Sequence, residues 1–437
     1  MAEEILLDYQ INRPHVAISR EETELKVLLR INASDALRGA EQTGAALNIH
    51  LVMVLDVSSS MRLREIEALK EAAQAAIDEL RPGDFVSVIA FQTVVYEIVE
   101  PTRIEDGSTK AMIKRKVSVI DQFQGGGTNM EYALIKASHH FSFVADERLS
   151  RRIMVFTDGQ ITGNVEKCLQ QAAEISAKGI GIDAMGFGAE FDYKFMQRLV
   201  ASSNGYTEKI DRPEHIKRAF AQRVQAVTSA IAKNVRLELT FTPQVRAGRG
   251  WRTSPEIAYM GKIALPGEER TISIPIGTIE RDKEYGYLVT CNVPQRPAGK
   301  VRVIKAELFY DIPGMQIVGG SSLQSVIVDY TEDGQLAAEL RGDVERAFDE
   351  AEIGRMVEGL DLAMNRGAQQ EASALLDALA ERYRELGDDA MHQHYIQLKS
   401  RYVSEGKISQ EDMNFTRHKS TQKRSSGVQL VDASSLI

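Results

Sequence analysis

From Ile49 to Leu55 six of seven residues are apolar with no alternation, and Asp56 follows them. Such a run reads as a strand buried on both faces, the kind found in the middle of a parallel sheet. Beyond Ser60 the period changes, and Ile66, Leu69, Ala73, Ile77 and Leu80 recur at helical spacing with charges between them. A buried strand feeding a helix through a short turn implies an α/β sheet. It also puts residues 56–60 at the carboxyl end of a central strand, where open sheets build their ligand sites. Asp56, Ser58 and Ser60 stand at every second position there, one carboxylate and two hydroxyls. Hard oxygen donors with few charges suit Mg²⁺, which takes few protein ligands and keeps several waters.

Two later segments extend the pattern. Gln124 to Asn129 is a glycine-rich turn containing Thr128 that feeds a helix over 130–145, and Arg152 to Thr157 is a second buried strand, ending in Asp158. Together these residues resemble the von Willebrand factor type A (VWA) domain and its metal-ion-dependent adhesion site: Asp-x-Ser-x-Ser, a distant Thr, and a distant Asp at a strand end. The five matching positions are Asp56, Ser58, Ser60, Thr128 and Asp158, with no departure from the pattern, and the likeness covers about residues 44–230. The resemblance implies that Ser58, Ser60 and Thr128 reach a Mg²⁺ ion directly or through water, Mn²⁺ or Ca²⁺ being alternatives. Asp56 and Asp158 then act mostly by orienting waters, and an Asp or Glu of a partner protein fills the open position.

The chain of 437 residues is long enough for two or three domains. A net charge of −9 argues against general nucleic-acid binding, which needs a basic surface. No run of about 18 apolar residues is present, so no membrane span is expected. The first ten residues carry acids where a secretory signal has basic residues, and Cys168 and Cys291 read as reduced thiols, so a cytoplasmic location is the expectation.

Taken in order, residues 1–43 carry two strand-like runs, Ile5 to Asn12 and Glu24 to Ile31. Residues 44–231 alternate strands and helices as a doubly wound sheet does, and 232–330 hold about six short strands with Gly/Pro turns. The expectation is a Rossmann-like VWA domain inserted in an all-β sandwich, whose first strands are the N-terminal pair. Residues 331–406 read as a helical hairpin region, and 407–437, basic and poor in apolar residues, as a disordered tail. Arg246 to Arg252 reads as a hairpin turn with cross-strand packing rather than a site where Trp251 and arginines meet RNA.

Within the tail, Thr416, Ser420 and Thr421 lie among basic residues, a setting that basophilic Ser/Thr kinases favour. The likeness to intracellular bacterial VWA proteins implies a Ser/Thr kinase, a forkhead-associated domain protein or a MoxR-type ATPase as partner. The function expected is a metal-dependent protein-binding scaffold in signalling or assembly, not an enzyme. Against it stands a phosphohydrolase using Asp56, but such enzymes need a second acid two residues on, and Ser58 is there. A structural protein with a vestigial metal site is the other alternative.

Overall fold

The computed structural model describes residues 4–421 apart from 19–21, 39–46, 145, 147, 159–161, 188–190, 204, 211 and 264–269. The chain opens with strands β1 (Ile5–Ile11), β2 (His15–Ala17) and β3 (Thr23–Ala33) and a single helical turn, α1 (Asp35–Arg38). The α/β unit follows as β4 (Ile49–Asp56), α2 (Leu63–Glu79), β5 (Phe85–Phe91), β6 (Val95–Arg103), α3 (Gly107–Val117), α4 (Met130–His140), β7 (Ser150–Thr157), α5 (Val165–Ala177), β8 (Gly181–Phe187), α6 (Tyr193–Ala201), β9 (Thr207–Ile210) and α7 (Pro213–Thr228). Its sheet has the order β6-β5-β4-β7-β8-β9, parallel except for the antiparallel β5–β6 pair. All eight residues of β4 are buried, His50 and Asp56 included, as its largely apolar run without alternation requires of a central strand. Leu51, Met53 and Leu55 face α2 and α7, while Val52 and Val54 face α4, α5 and α6.

Antiparallel strands come next: β10 (Ala230–Phe241), β11 (Arg246–Ser254), β12 (Ala258–Lys262), β13 (Thr271–Glu280), β14 (Tyr285–Val293), β15 (Gly299–Ile312) and β16 (Ile317–Thr331). They form two five-stranded sheets with the N-terminal strands, β1-β3-β14-β11-β12 and β13-β10-β15-β16-β2. β3 lies antiparallel to β14 from Thr23 to Ile31, and the short β2 runs parallel to β16. One apolar core, including Leu29, Leu237, Tyr287 and Leu308, fills the space between the sheets. The chain leaves these sheets after β3 and returns at β10, where the Leu47 N–H donates to Ala230 O at 3.0 Å.

Residues 246–252, expected as a turn, lie in β11, and the correction has a packing cause. Gly248 brings the backbone so close to β14 that a Cβ there would meet Thr290 Oγ1 at 2.3 Å. Trp251 is fully buried between Tyr259 and Phe348, so its ring offers no stacking surface.

The helices that follow are α8 (Gly334–Ala338), α9 (Gly342–Asn365), α10 (Gln369–Glu385), α11 (Asp389–Glu405) and α12 (Gln410–Thr421). Val344 and Ala351 of α9 pack with Leu28, Trp251 and Leu288 on the outer face of the first β-sheet. The last helix corrects the expectation of disorder for residues 407–421; residues 422–437 lie outside the described residues. Tertiary contacts supply what its own few apolar residues lack. Met413 joins the core of α9 to α11, Arg417 pairs with Asp361, and Thr421 Oγ1 lies 3.2 Å from the Tyr193 hydroxyl. Among the described residues no helix is long and apolar enough to cross a membrane, and Cys168 and Cys291 are both free and buried.

Candidate metal centre

The sheet order reverses direction between β4 and β7, so the turns after these two strands open a crevice at their carboxyl ends. Asp56 ends β4 with no exposed surface. Its Oδ1 accepts the Ser58 N–H at 2.8 Å, and its Oδ2 accepts the hydroxyl of Thr157, the last residue of β7, at 2.5 Å. Parallel pairing of β4 with β7 brings these two strand ends level. The Ser58 and Ser60 hydroxyls are 3.0 Å apart, and Ser60 Oγ donates to Asp158 Oδ1 at 2.9 Å. Four of the five expected residues thus form one hydrogen-bonded chain.

Thr128 reaches the site through its loop. The Ser59 N–H and hydroxyl both donate to Gly126 O, at 3.1 and 2.8 Å, and the Gly125 N–H donates to Val57 O at 2.9 Å. These bonds stitch the glycine-rich turn to the turn after β4. Gly126 has φ +64°, where a side chain is strained, and a Cβ on it would meet Thr93 Oγ1 at 2.7 Å, so the turn favours glycine there. Thr128 itself is buried, with its N–H on Thr162 Oγ1 at 2.9 Å.

Negative charge accumulates here without compensation. Burial pushes the Asp56 carboxyl up, against the hydrogen bonds from Thr157 and Ser58. Burial likewise pushes Asp158 up to about 6, with the charges of Asp56 and Glu65 adding to the effect. Among the described residues none of Asp56, Glu65 and Asp158 pairs with a Lys, Arg or His. Among the described residues no group of three His, Cys, Asp or Glu is disposed as a metal site, and the oxygens linked here are those of Asp56, Ser58, Ser60 and Asp158. Three hydroxyls and two uncompensated buried carboxylates fit a hard divalent cation.

Sequence spacing did not reveal Thr157 or Glu65. An acid in the first turn of a helix beginning at the site was the available signal for Glu65, and adjacency to Asp158 the one for Thr157. Thr416, Ser420 and Thr421 lie elsewhere, on α12, and are 0, 5 and 8% exposed. Ser420 Oγ donates to Arg417 O at 2.8 Å and Thr421 Oγ1 to His418 O at 2.9 Å, so the docked helix presents none of the three to a kinase.

Residues 50–222 match the von Willebrand factor type A domain family. An uncharacterized protein of Synechocystis sp. is 25% identical over 280 residues, 63% of this chain and 64% of its own length. Inter-alpha-trypsin inhibitor heavy chain H1 of Sus scrofa is 24% identical over 277 residues, 60% of this chain and 30% of its own length. The chain therefore spans less than two thirds of either relative. Among solved structures, von Willebrand factor type A from Catenulispora acidiphila matches with a TM-score of 0.78 at 21% identity, over 96% of this chain and 97% of that one. The ArnB paralog VWA2 from Sulfolobus acidocaldarius matches with a TM-score of 0.58 at 15% identity, over 96% and 98%. At these identities the two structures establish a common fold, one that extends through the β-sheets and helices as well as the α/β unit. Residues 50–222 of this chain are a von Willebrand factor type A domain.

Proposed function

We infer that this chain is a Mg²⁺-dependent protein-binding scaffold that captures an acidic side chain of a partner. The observation that carries the reading is the pairing of an Asp56–Ser58–Ser60–Asp158 hydrogen-bonded chain with buried carboxylates that have no cationic partner among the described residues. Ser58, Ser60 and Thr128 would hold the ion directly or through water, and Asp56 and Asp158 would orient those waters and offset charge. The ion, Mg²⁺ or in its place Mn²⁺ or Ca²⁺, supplies an electrophilic position that a carboxylate can occupy. Few charged ligands leave it that capacity, because an ion saturated by protein carboxylates has little attraction left for another.

The role is non-catalytic and cytoplasmic in this reading. Ser58 occupies the place where an aspartyl phosphatase carries its general acid, so phosphoryl transfer lacks a proton donor beside Asp56. Ser/Thr kinases, forkhead-associated domain proteins and MoxR-type ATPases are the first partner classes to seek.

The test is a pull-down from native lysate with wild type and Asp56→Ala, each in Mg²⁺ and in EDTA. A protein retained only by wild type with metal is the expected outcome. The same proteins in all four lanes, or interactions untouched by Ser58→Ala with Ser60→Ala, would show that the site is vestigial. Phosphoester turnover abolished by Asp56→Asn would restore the hydrolase.

A further inference from the structure

Three exposed apolar side chains stand at the carboxyl end of the α/β sheet, beside the turns that follow β4 and β5 and the glycine-rich turn. Leu63, the first residue of α2 and three positions after Ser60, is 71% exposed. Val94, in the β5–β6 turn, is 51% exposed, and the Thr93 hydroxyl beside it accepts the Gly127 N–H at 2.8 Å. Tyr132, in the first turn of α4 just after Thr128, is 60% exposed, its N–H capped by Asn129 Oδ1 at 3.5 Å. Single exposed apolar residues need no explanation, but these three stand beside turns that the Ser59–Gly126 and Gly127–Thr93 hydrogen bonds join, which puts apolar surface around the candidate site. Arg62 and Arg64 flank Leu63, are exposed, and make no ion pair among the described residues. Glu67, the exposed acid one turn along α2, is already taken by Lys70.

We propose that the mouth of the metal site recognises a segment of another protein in which the metal-binding Asp or Glu lies beside an apolar side chain and among further acids. The apolar side chain packs on Leu63, Val94 and Tyr132, and the extra acids meet Arg62 and Arg64. Aromatic and arginine groups are the side chains that anchor interfaces most strongly, and charge complementarity at the rim sets which partner is chosen. The proposal rests on the metal-dependent reading of the site.

The experiment pans a random displayed dodecapeptide library on the full chain in Mg²⁺ with elution by EDTA, then measures the enriched peptides by fluorescence polarisation. Enrichment of an acid next to an apolar residue is expected. So is loss of about tenfold in affinity for Leu63→Ser with Val94→Ser, and again for Arg62→Glu with Arg64→Glu, while binding stays Mg²⁺-dependent. All four positions are exposed, so these variants should keep the fold. Metal-dependent binding that ignores both double variants overturns the proposal and leaves the metal reading standing. Binding indifferent to EDTA, or no enrichment at all, overturns the metal reading and the proposal with it. Mg²⁺-dependent self-association lost in the same variants would instead make a second copy of this chain the occupant.

Discussion

Asp183 shows what a single residue carries when it is sealed from water. It sits in β8 with no exposed surface, between the guanidiniums of Arg152 at 3.0 Å and Arg223 at 2.8 Å, and accepts the Tyr206 N–H at 2.8 Å. Burial by itself raises such a carboxyl, but the two guanidiniums override it and hold Asp183 down at about 2. A folded-state value below the unfolded one, about 3.9, means stability that is complete above that pH and lost as pH falls through about 2. Asp183→Asn is therefore expected to cost about 3–5 kcal/mol near neutral pH, with the gap to wild type narrowing by up to about 2.6 kcal/mol as pH falls through about 4 to below 2. Urea melts of both proteins at pH 7, 4 and 2.5 check it; a gap independent of pH would contradict it. Asp56, Ser58, Ser60, Thr128 and Asp158 were legible as a candidate cluster because their signals are local: one turn after a strand, one glycine-rich loop, one strand end. Asp183 was not, because its partners lie 31 and 40 residues away and the sequence shows only an acid inside an apolar strand.

Among the elements, the strands and helices of the α/β unit were legible from period alone, since burial on two faces leaves an unbroken apolar run. β11 was missed because Gly248 and Gly250 imitate a turn until β14 is seen packed against them. Helix α12 was missed for the opposite reason, since its anchors belong to other elements: Asp361 on α9, Tyr193 on α6, and the Ile257 N–H, which donates to Thr421 O at 2.9 Å. Placing a charge at its buried hydroxyls should release it, because an unpaired buried charge costs several kcal/mol. Thr416→Asp or Ser420→Asp is expected to speed tryptic cleavage at Arg417 and Lys419 by about tenfold or more, while Ser404→Asp, at an exposed position, leaves it unchanged. Equal cleavage in all variants would show that α12 does not protect those bonds. Phosphorylation of Thr416, Ser420 or Thr421 would act on the same undocked state.

At the scale of the whole molecule, the α/β unit is tied to the β-sheets by more than its two chain connections. Arg223 on α7 donates to Asp183 in its own unit and to Glu280 of β13 at 3.1 Å, while Arg152 Nη2 donates to Thr278 Oγ1 at 2.8 Å. Burial alone would raise the Glu280 carboxyl, but the Arg223 and Lys283 charges bring it below its ordinary value. The helix that closes the VWA domain is thus joined to the sandwich through one buried guanidinium. Wild type is expected to melt in one calorimetric transition and Arg223→Ala in two, with the α/β unit alone responding to added Mg²⁺. A single unchanged transition would mean that packing and the paired connections couple the units without it.

What the sequence by itself determined is what short-range chemistry specifies: a buried central strand, its turn of alternating oxygens, the glycine loop and the helical period that follows. Each depends on residues within about a dozen positions, where backbone geometry leaves few alternatives. The tertiary structure alone decided the hydrogen-bonded closure of Ser60 on Asp158, the Asp183–Arg223–Glu280 tie between units, and the docking of α12. Those contacts join side chains tens to hundreds of residues apart, and their energies come from burial and from partners that exist only once the chain has closed around them.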